Sequence, residues 1–370
     1  MLFSERDIAA LRLLCWCQYI APENLRTLLT ETERDNLISM KLIRRHEKSG
    51  ALMLASGGAQ LLKRIYGDGA IPNISPSYRE TIIQRRLRLS RLVLTAYRGR
   101  ANPFAATMAE LAESPALFLS ALTRDRGTNP WGSTRIAAIA RLGNLLCAMH
   151  YVCPGIGKLA LIDELNAFTN QTARFREVPR SFIFAGQSYR DILAELDASE
   201  PGADTKLITY GAAYRCLQLP VHLLSCDDTG AVQLQIMSVP DYRRRLTKAA
   251  LKSQYQPSLS PAWDALFQGM PFVMAADMDL RRLDDAVEKA RQEGHPQIAI
   301  AALEGQAETV LFSRYRDTGK ARVFILTDEA ISEVTGRPPV PYTPPRTQFL
   351  TAEGDVIDAP SFKAPGRAGR

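Results

Sequence analysis

Apolar residues recur along the first seventy positions with the spacing of short helices, and the pattern changes to strands further on. Ser4 can cap a first helix whose third position, Asp7, completes a variant of the capping box, and Ile8, Leu11, Leu13, Leu14 and Trp16 supply its apolar face. Pro22 suits the first turn of a short helix over 22–29. Thr30 can cap a third helix running to position 42, with Leu37, Ile38 and Leu42 on its buried side. Residues 42–46 and 51–55 then read as two strands joined by a turn at Lys48-Ser49-Gly50, and Gly57-Gly58 bends the chain into a helix over 59–66. Three helices followed by a hairpin is the order of a winged helix, a helix-turn-helix variant whose hairpin is the wing.

Residues 76–98 predict a longer helix in which Ile82, Ile83, Leu87, Leu89 and Leu92 interleave with Arg79, Arg85, Arg86, Arg88, Arg91 and Arg98. Positions 101–130 favour turns, with a helical piece expected over 104–121. From Ser133 the pattern is of strands. A hairpin over 133–142 and 145–153 turns at Gly143-Asn144, and strands at 181–186, 206–211 and 221–226 alternate with helices at 189–196 and 241–251. Strands at 271–277, 297–303 and 321–326, with helices at 280–294 and after Asp328, continue the alternation, so the fold class expected is mixed α/β. The divisions this suggests are a winged helix at 1–70, a basic helical extension at 71–130 and an α/β domain at 131–255. A second α/β half at 256–336 follows, then a disordered, Pro/Gly/Ala-rich tail at 337–370.

Charge sharpens the picture. The first hundred residues hold 17 Lys+Arg against 9 Asp+Glu, and the remainder 29 against 30, so the whole basic excess sits at the front. That asymmetry points to a polyanion partner, with double-stranded DNA expected. Apolar stretches reach only about ten residues, short of the ~20 that a spanning helix needs, so no membrane partner is expected. Acidic residues among the first seven positions do not read as a signal peptide, and six scattered cysteines without a CxxC pair read as reduced core residues. A cytoplasmic location follows. No cofactor and no metal site are expected.

The expected DNA contacts are Arg44, Arg45, His46 and Lys48 of the wing, Arg85, Arg86, Arg88 and Arg91 of the basic helix, and Arg34 and Lys41 of the groove-facing third helix. Glu31, Glu33 and Asp35 on that third helix suit its dipole but not a phosphate backbone. Metal-dependent nuclease chemistry would need carboxylates with an adjacent lysine, and Asp204 with Lys206, supported by Glu164, is the set that fits on paper. Asp277, Asp279, Asp284 and Asp285 gather at a strand end and the next helix, where helix capping is the simpler account. The stretch Pro154-Gly155-Ile156-Gly157-Lys158 lacks P-loop spacing, with Leu159 where a hydroxyl is required. His150, beside Tyr151 in an apolar strand, reads as a core histidine rather than a base.

Residues 4–29 with the wing that ends in Leu54-Ala55-Ser56-Gly57-Gly58 resemble the N-terminal winged helix of replication-relaxation family proteins of Gram-positive plasmids, conjugative elements and phages. Gly132-Ser133-Thr134-Arg135, Tyr151, Glu164 and Phe184-Ala185-Gly186 are similar to a pattern in further proteins of such elements. The resemblance implies DNA binding during replication or transfer, and a degenerate restriction-endonuclease-like fold for the second part. The reading is therefore a non-enzymatic DNA-binding accessory or regulatory protein of a mobile element, with a homodimer or other element-encoded proteins as further partners. The alternatives are a metal-dependent nuclease and a protein-interaction module in a transfer or anti-host complex.

Overall fold

A computed structural model describes residues 2–72, 74, 77–124, 129–154, 158–197, 207–345, 348–351 and 353–358. The chain is mixed α/β, as its alternation suggests. It divides into two compact units rather than five segments: Met1–Ser90 with Thr343–Arg370, and Arg91–Tyr342. The division falls inside the helix Glu80–Arg98.

In the first unit the helix Glu5–Cys17 is buried along most of its length, from Ile8 through Cys17. Ser4 caps it, with Asp7 reaching back to complete the capping box. Pro22–Leu25 makes one short turn, and Thr30 and Glu33 close a second capping box over Glu31–Ser39. This third helix stops three residues before the expected end. The Leu42 amide donates to Leu37 O across Lys41, whose φ is +57°, so the chain leaves through a Schellman-type turn that puts Lys41 in the left-handed region. Ile43–Arg45 and Leu52–Leu54 form the antiparallel hairpin at the expected place, turning at Gly50 with φ +67°. Gly57 and Gly58 do not bend the chain. They lie inside the helix Ser56–Tyr66, where glycine is needed for space: a Cβ at Gly57 would come 2.9 Å from Lys41 O, and one at Gly58 would meet Leu42 O and the Leu54 side chain.

The expected disordered tail also differs. Gln348–Thr351 pairs antiparallel with Leu2–Ser4 and with Val356–Asp358, making a three-stranded sheet from both ends of the chain. Residues 359–370 lie outside the described residues.

The second unit is built on two large sheets and also holds an antiparallel pair of Lys158–Leu159 with Ile208–Thr209. In the six-stranded one the spatial order is Val221–Ser225, Arg180–Gly186, Leu145–Tyr151, Ala138–Leu142, Ala116–Leu119 and Asn102–Ala105. The first three strands run parallel, and the hairpin at Gly143-Asn144 turns the next antiparallel. Residues 104–121, expected as helix, instead hold the end of the strand Asn102–Ala105, a short turn capped by Thr107 and Glu110, and the strand Ala116–Leu119. The run Ala116–Leu119 is buried at every position, and a fully apolar stretch of that length has no period to separate strand from helix. The four-stranded sheet orders Ala265–Phe267, Met270–Met274, Ile298–Ala302 and Ala321–Ile325, the last three parallel. Helical segments without a clear sequence signal include Asp228–Met237, buried from Gly230 onward, Ala307–Arg316, and Tyr210–Cys216, which begins inside the strand expected over 206–211 and leaves only Ile208–Thr209 as strand. Among the described residues no helix is long and apolar enough to cross a membrane.

Candidate functional site

The hairpin and the first half of the long helix share one small core. Tyr19, Ala51, Met53 and Ile83 are buried together, with Leu87 packed against them. Tyr19 sits where the first helix ends, and its hydroxyl donates to Ser77 O at 2.9 Å. Gln18 Nε2 donates to Ile74 O at 2.8 Å. These two bonds hold the segment that leads into Glu80–Arg98, so Ile83 and Leu87 come down on the return strand of the hairpin.

Two basic elements, far apart in sequence, thereby become neighbours. Arg44, Arg45 and Lys48 are exposed on the hairpin and make no ion pair among the described residues. Arg79 and Arg85 are exposed, and Arg86 and Arg88 half-buried, on and just before the helix. Arg44 of the hairpin and Arg86 of the helix both act on the Tyr19 phenol. Burial and the neighbouring Tyr78 push it up, while Arg44 from the hairpin and Arg86 from the helix both pull it down. His46 Nδ1 lies 2.9 Å from Ser49 Oγ, which fixes the ring in the turn.

Two of the expected contacts, Arg34 and Arg91, are engaged elsewhere, and Lys41, though exposed, has left the helix it was expected on. Arg34 is only 9% exposed, with its guanidinium on Asp35 at 3.1 Å and Glu31 at 4.0 Å. Lys41 is past the end of its helix, in the turn described above. Arg91 donates to Gln187 Oε1 at 2.6 Å in the α/β unit, beside Tyr151. Arg98 similarly pairs with Asp228 at 2.6 Å. The outer face of Glu31–Ser39 is left with Glu31, Thr32, Asp35, Asn36 and Ser39, which is acidic and polar.

The α/β unit contains two buried acid–histidine pairs. Glu164 Oε2 lies 3.0 Å from His150 Nε2, and its other oxygen accepts from the Arg135 amide at 2.6 Å. Both side chains are buried, and His150 stacks on Phe182 and meets Phe184 edge-on. Glu164 is thus committed to tying a helix to the strand and to the approach of the hairpin. Its proposed companions Asp204 and Lys206 lie outside the described residues. So do Gly155, Ile156 and Gly157 of the stretch that superficially resembles a P-loop.

Asp277 is the second case. Its Oδ2 accepts from Tyr242 Oη and Arg243 Nε, both at 2.6 Å, and the Arg243 Nη2 also meets it. Burial pushes the carboxyl up, but Arg243, Arg282, His222 and the Tyr242 hydroxyl outweigh it and hold the group well below the usual carboxylate range. Burial keeps His222 below the ordinary histidine range, the more so with Arg243 and Arg282 nearby, although Asp277 and Asp279 oppose it. Asp279 caps Leu280–Gln292 as expected, and Asp284 pairs with Arg314 at 2.6 Å. The Asp279 amide and Arg282 lie close to Asp277 in sequence, but its short-range partners Tyr242 and Arg243 lie 35 and 34 residues away, and no local motif could disclose those.

A pocket of about 530 Å³ beside this cluster is lined by Leu145, Pro179, Pro220, His222, Arg243 and Asp264, among others. It opens at the amino ends of the parallel strands, whereas ligand crevices of α/β sheets lie at the carboxyl ends. Its charges are already matched: Arg243 with Asp277, Arg244 with Asp241 at 3.4 Å, and Asp264 with Arg282 at 3.0 Å. The arrangement reads as structural. Among the described residues no group of three His, Cys, Asp or Glu side chains could hold a metal ion. No protein-family model matches the chain, and no curated protein or solved structure matches it.

Proposed function

We propose that the chain is a DNA-binding protein that grips the phosphate backbone with its N-terminal hairpin and the adjoining arginine-rich helix. The observation that carries this reading is the shared core of Tyr19, Ala51, Met53, Ile83 and Leu87. It packs the hairpin that carries Arg44, Arg45 and Lys48 against the helix that carries Arg85, Arg86 and Arg88, and the three hairpin cations make no ion pair among the described residues, with Glu47 the one carboxylate exposed in the same turn. Phosphate contacts of this kind supply affinity and position, not sequence discrimination. The helix–helix–helix–hairpin order supports a winged-helix reading in which the wing, rather than the acidic third helix, meets the duplex. Arg34 and Arg91, which are engaged within the fold, are left out of the proposed contact set, and exposed Lys41 beside the hairpin stays in it. A role as an accessory or regulatory protein of a mobile element, in the cytoplasm, rests only on the resemblance of short sequence motifs to replication-relaxation proteins, which no family-model match supports. The degenerate restriction-endonuclease reading of the second unit has the same basis.

The test is anisotropy binding of the full chain to a random-sequence duplex across a salt series. Each phosphate contact contributes ~0.9 to the log–log slope, so hairpin and helix together predict a slope of roughly −4 to −6. Arg44→Ala/Arg45→Ala/Lys48→Ala should flatten it by about 2–3. A chain that binds no duplex even at ~50 mM salt would overturn the proposal. The acidic outer face of Glu31–Ser39 favours a second reading, a protein-interaction module, and capture of a defined protein partner without DNA affinity would support it.

A further inference from the structure

The aromatic side chains at the hairpin exceed what phosphate contact requires. Tyr78 is 64% exposed, in the segment just before Glu80–Arg98. Its ring lies nearly parallel to His46, with centroids 6.3 Å apart and planes 21° from each other, the geometry of an offset stack. The His46 ring in turn meets Tyr19 edge-on at 5.6 Å and 86°. Both supports are held: Ser49 Oγ touches His46 Nδ1, and the Tyr19 hydroxyl binds Ser77 O next to Tyr78 itself. Among the described residues Tyr78 has no other ring partner.

A supported aromatic face bordered by cations is what an unpaired nucleotide needs. The ring accepts the base and the cations accept its phosphates, whatever the sequence. Bases inside a duplex are already stacked on their neighbours and cannot use such a face. We infer that Tyr78, resting on His46, is a stacking platform for an unpaired base, so that the interface takes DNA with a single-stranded segment adjoining a duplex. The inference rests on the DNA-binding reading and names the form of DNA that would fill the site. Tyr78 would stack the first unpaired base, and Arg44, Arg45 and Lys48 would track the flanking phosphates.

The experiment compares the full chain on a blunt duplex and on the same duplex with a single-stranded extension, 2-aminopurine marking the first unpaired position. The extended duplex should bind tighter by about 5-fold or more, with 2-aminopurine fluorescence quenched on binding. Tyr78→Ala should abolish that preference and the quench while leaving blunt-duplex affinity unchanged, and Tyr78→Phe should keep both. Equal wild-type affinity for the two DNAs, or a preference that survives Tyr78→Ala, would overturn the platform and leave backbone binding standing. Absence of binding to either DNA at low salt would instead remove the DNA reading, and the platform with it.

Discussion

Asp277 and Asp279 stand two residues apart and do different work. Asp279 precedes a helix and accepts from its third amide, a role that its position predicts. Asp277 is fully buried and receives Tyr242 and Arg243 from a helix that starts 35 residues earlier. Local spacing could expose the cap but not the ion pair. The same limit applied to Arg34, whose burial depends on how its helix packs and not on its neighbours in sequence. Removing Asp277 leaves the half-buried Arg243 and the buried Tyr242 hydroxyl without their acceptor. Asp277→Ala should therefore destabilise the fold by about 3–5 kcal/mol. The pH dependence has a defined sign. Its folded pKa is depressed below the unfolded value of about 3.9, so its contribution is complete above that pH and is lost as pH falls further. Urea unfolding of wild type and Asp277→Asn should show a stability gap that is constant from neutral pH to about 5 and narrows below about 4. A gap independent of pH down to about 2 would show that the carboxylate charge contributes nothing.

Elements were legible where a period or a cap marked them, and illegible where burial was complete. The amphipathic helix Leu280–Gln292 and the hairpin at Gly143-Asn144 follow directly from alternation and turn residues. Asp228–Met237 does not, because it is buried on every side from Gly230 to Met237 and has no polar stripe to set a period. Gly57-Gly58 misled for a related reason. Glycine pairs usually mark bends, yet here they let the helix Ser56–Tyr66 approach the backbone at Lys41 and Leu42. Propensity and packing make opposite predictions for Gly58→Ala. Alanine would favour an isolated helix by about 1 kcal/mol. The added methyl would strike Leu42 O and the Leu54 side chain, and overpacking against backbone costs about 1–3 kcal/mol. Packing should win, so Gly58→Ala should lower the melting temperature. A raised melting temperature would mean that the hairpin yields freely, and with it the fixed placement of Arg44 and Arg45.

At the scale of the molecule, the basic excess is a matter of counting charges along the chain, and it falls almost wholly on the first unit. The completion of that unit could not be counted. Leu2–Ser4 and Gln348–Thr351 carry no signal that they are partners across nearly the whole chain, and Pro-rich composition nearby reads as a tail. The pairing nonetheless bears on the central helix. Ser4 ends the strand and also caps Glu5–Cys17, and Arg6 Nε donates to Pro344 O at 2.8 Å. Deleting residues 343–370 removes the strand partner and the acceptor for Arg6 together, which frees Ser4 to leave its cap, a bond worth about 1 kcal/mol. Hydrogen exchange should then quicken in the first turns of Glu5–Cys17 and in the hairpin that packs near it, while Leu145–Tyr151 in the second unit keeps its protection. DNA affinity should weaken with that loosening, because Tyr19, which organises the hairpin cations and the arginine helix, follows directly from the same helix. If exchange in Glu5–Cys17 is unchanged by the deletion, the terminal sheet does not support the first unit. Any loss of DNA binding would then belong to the removed segment itself.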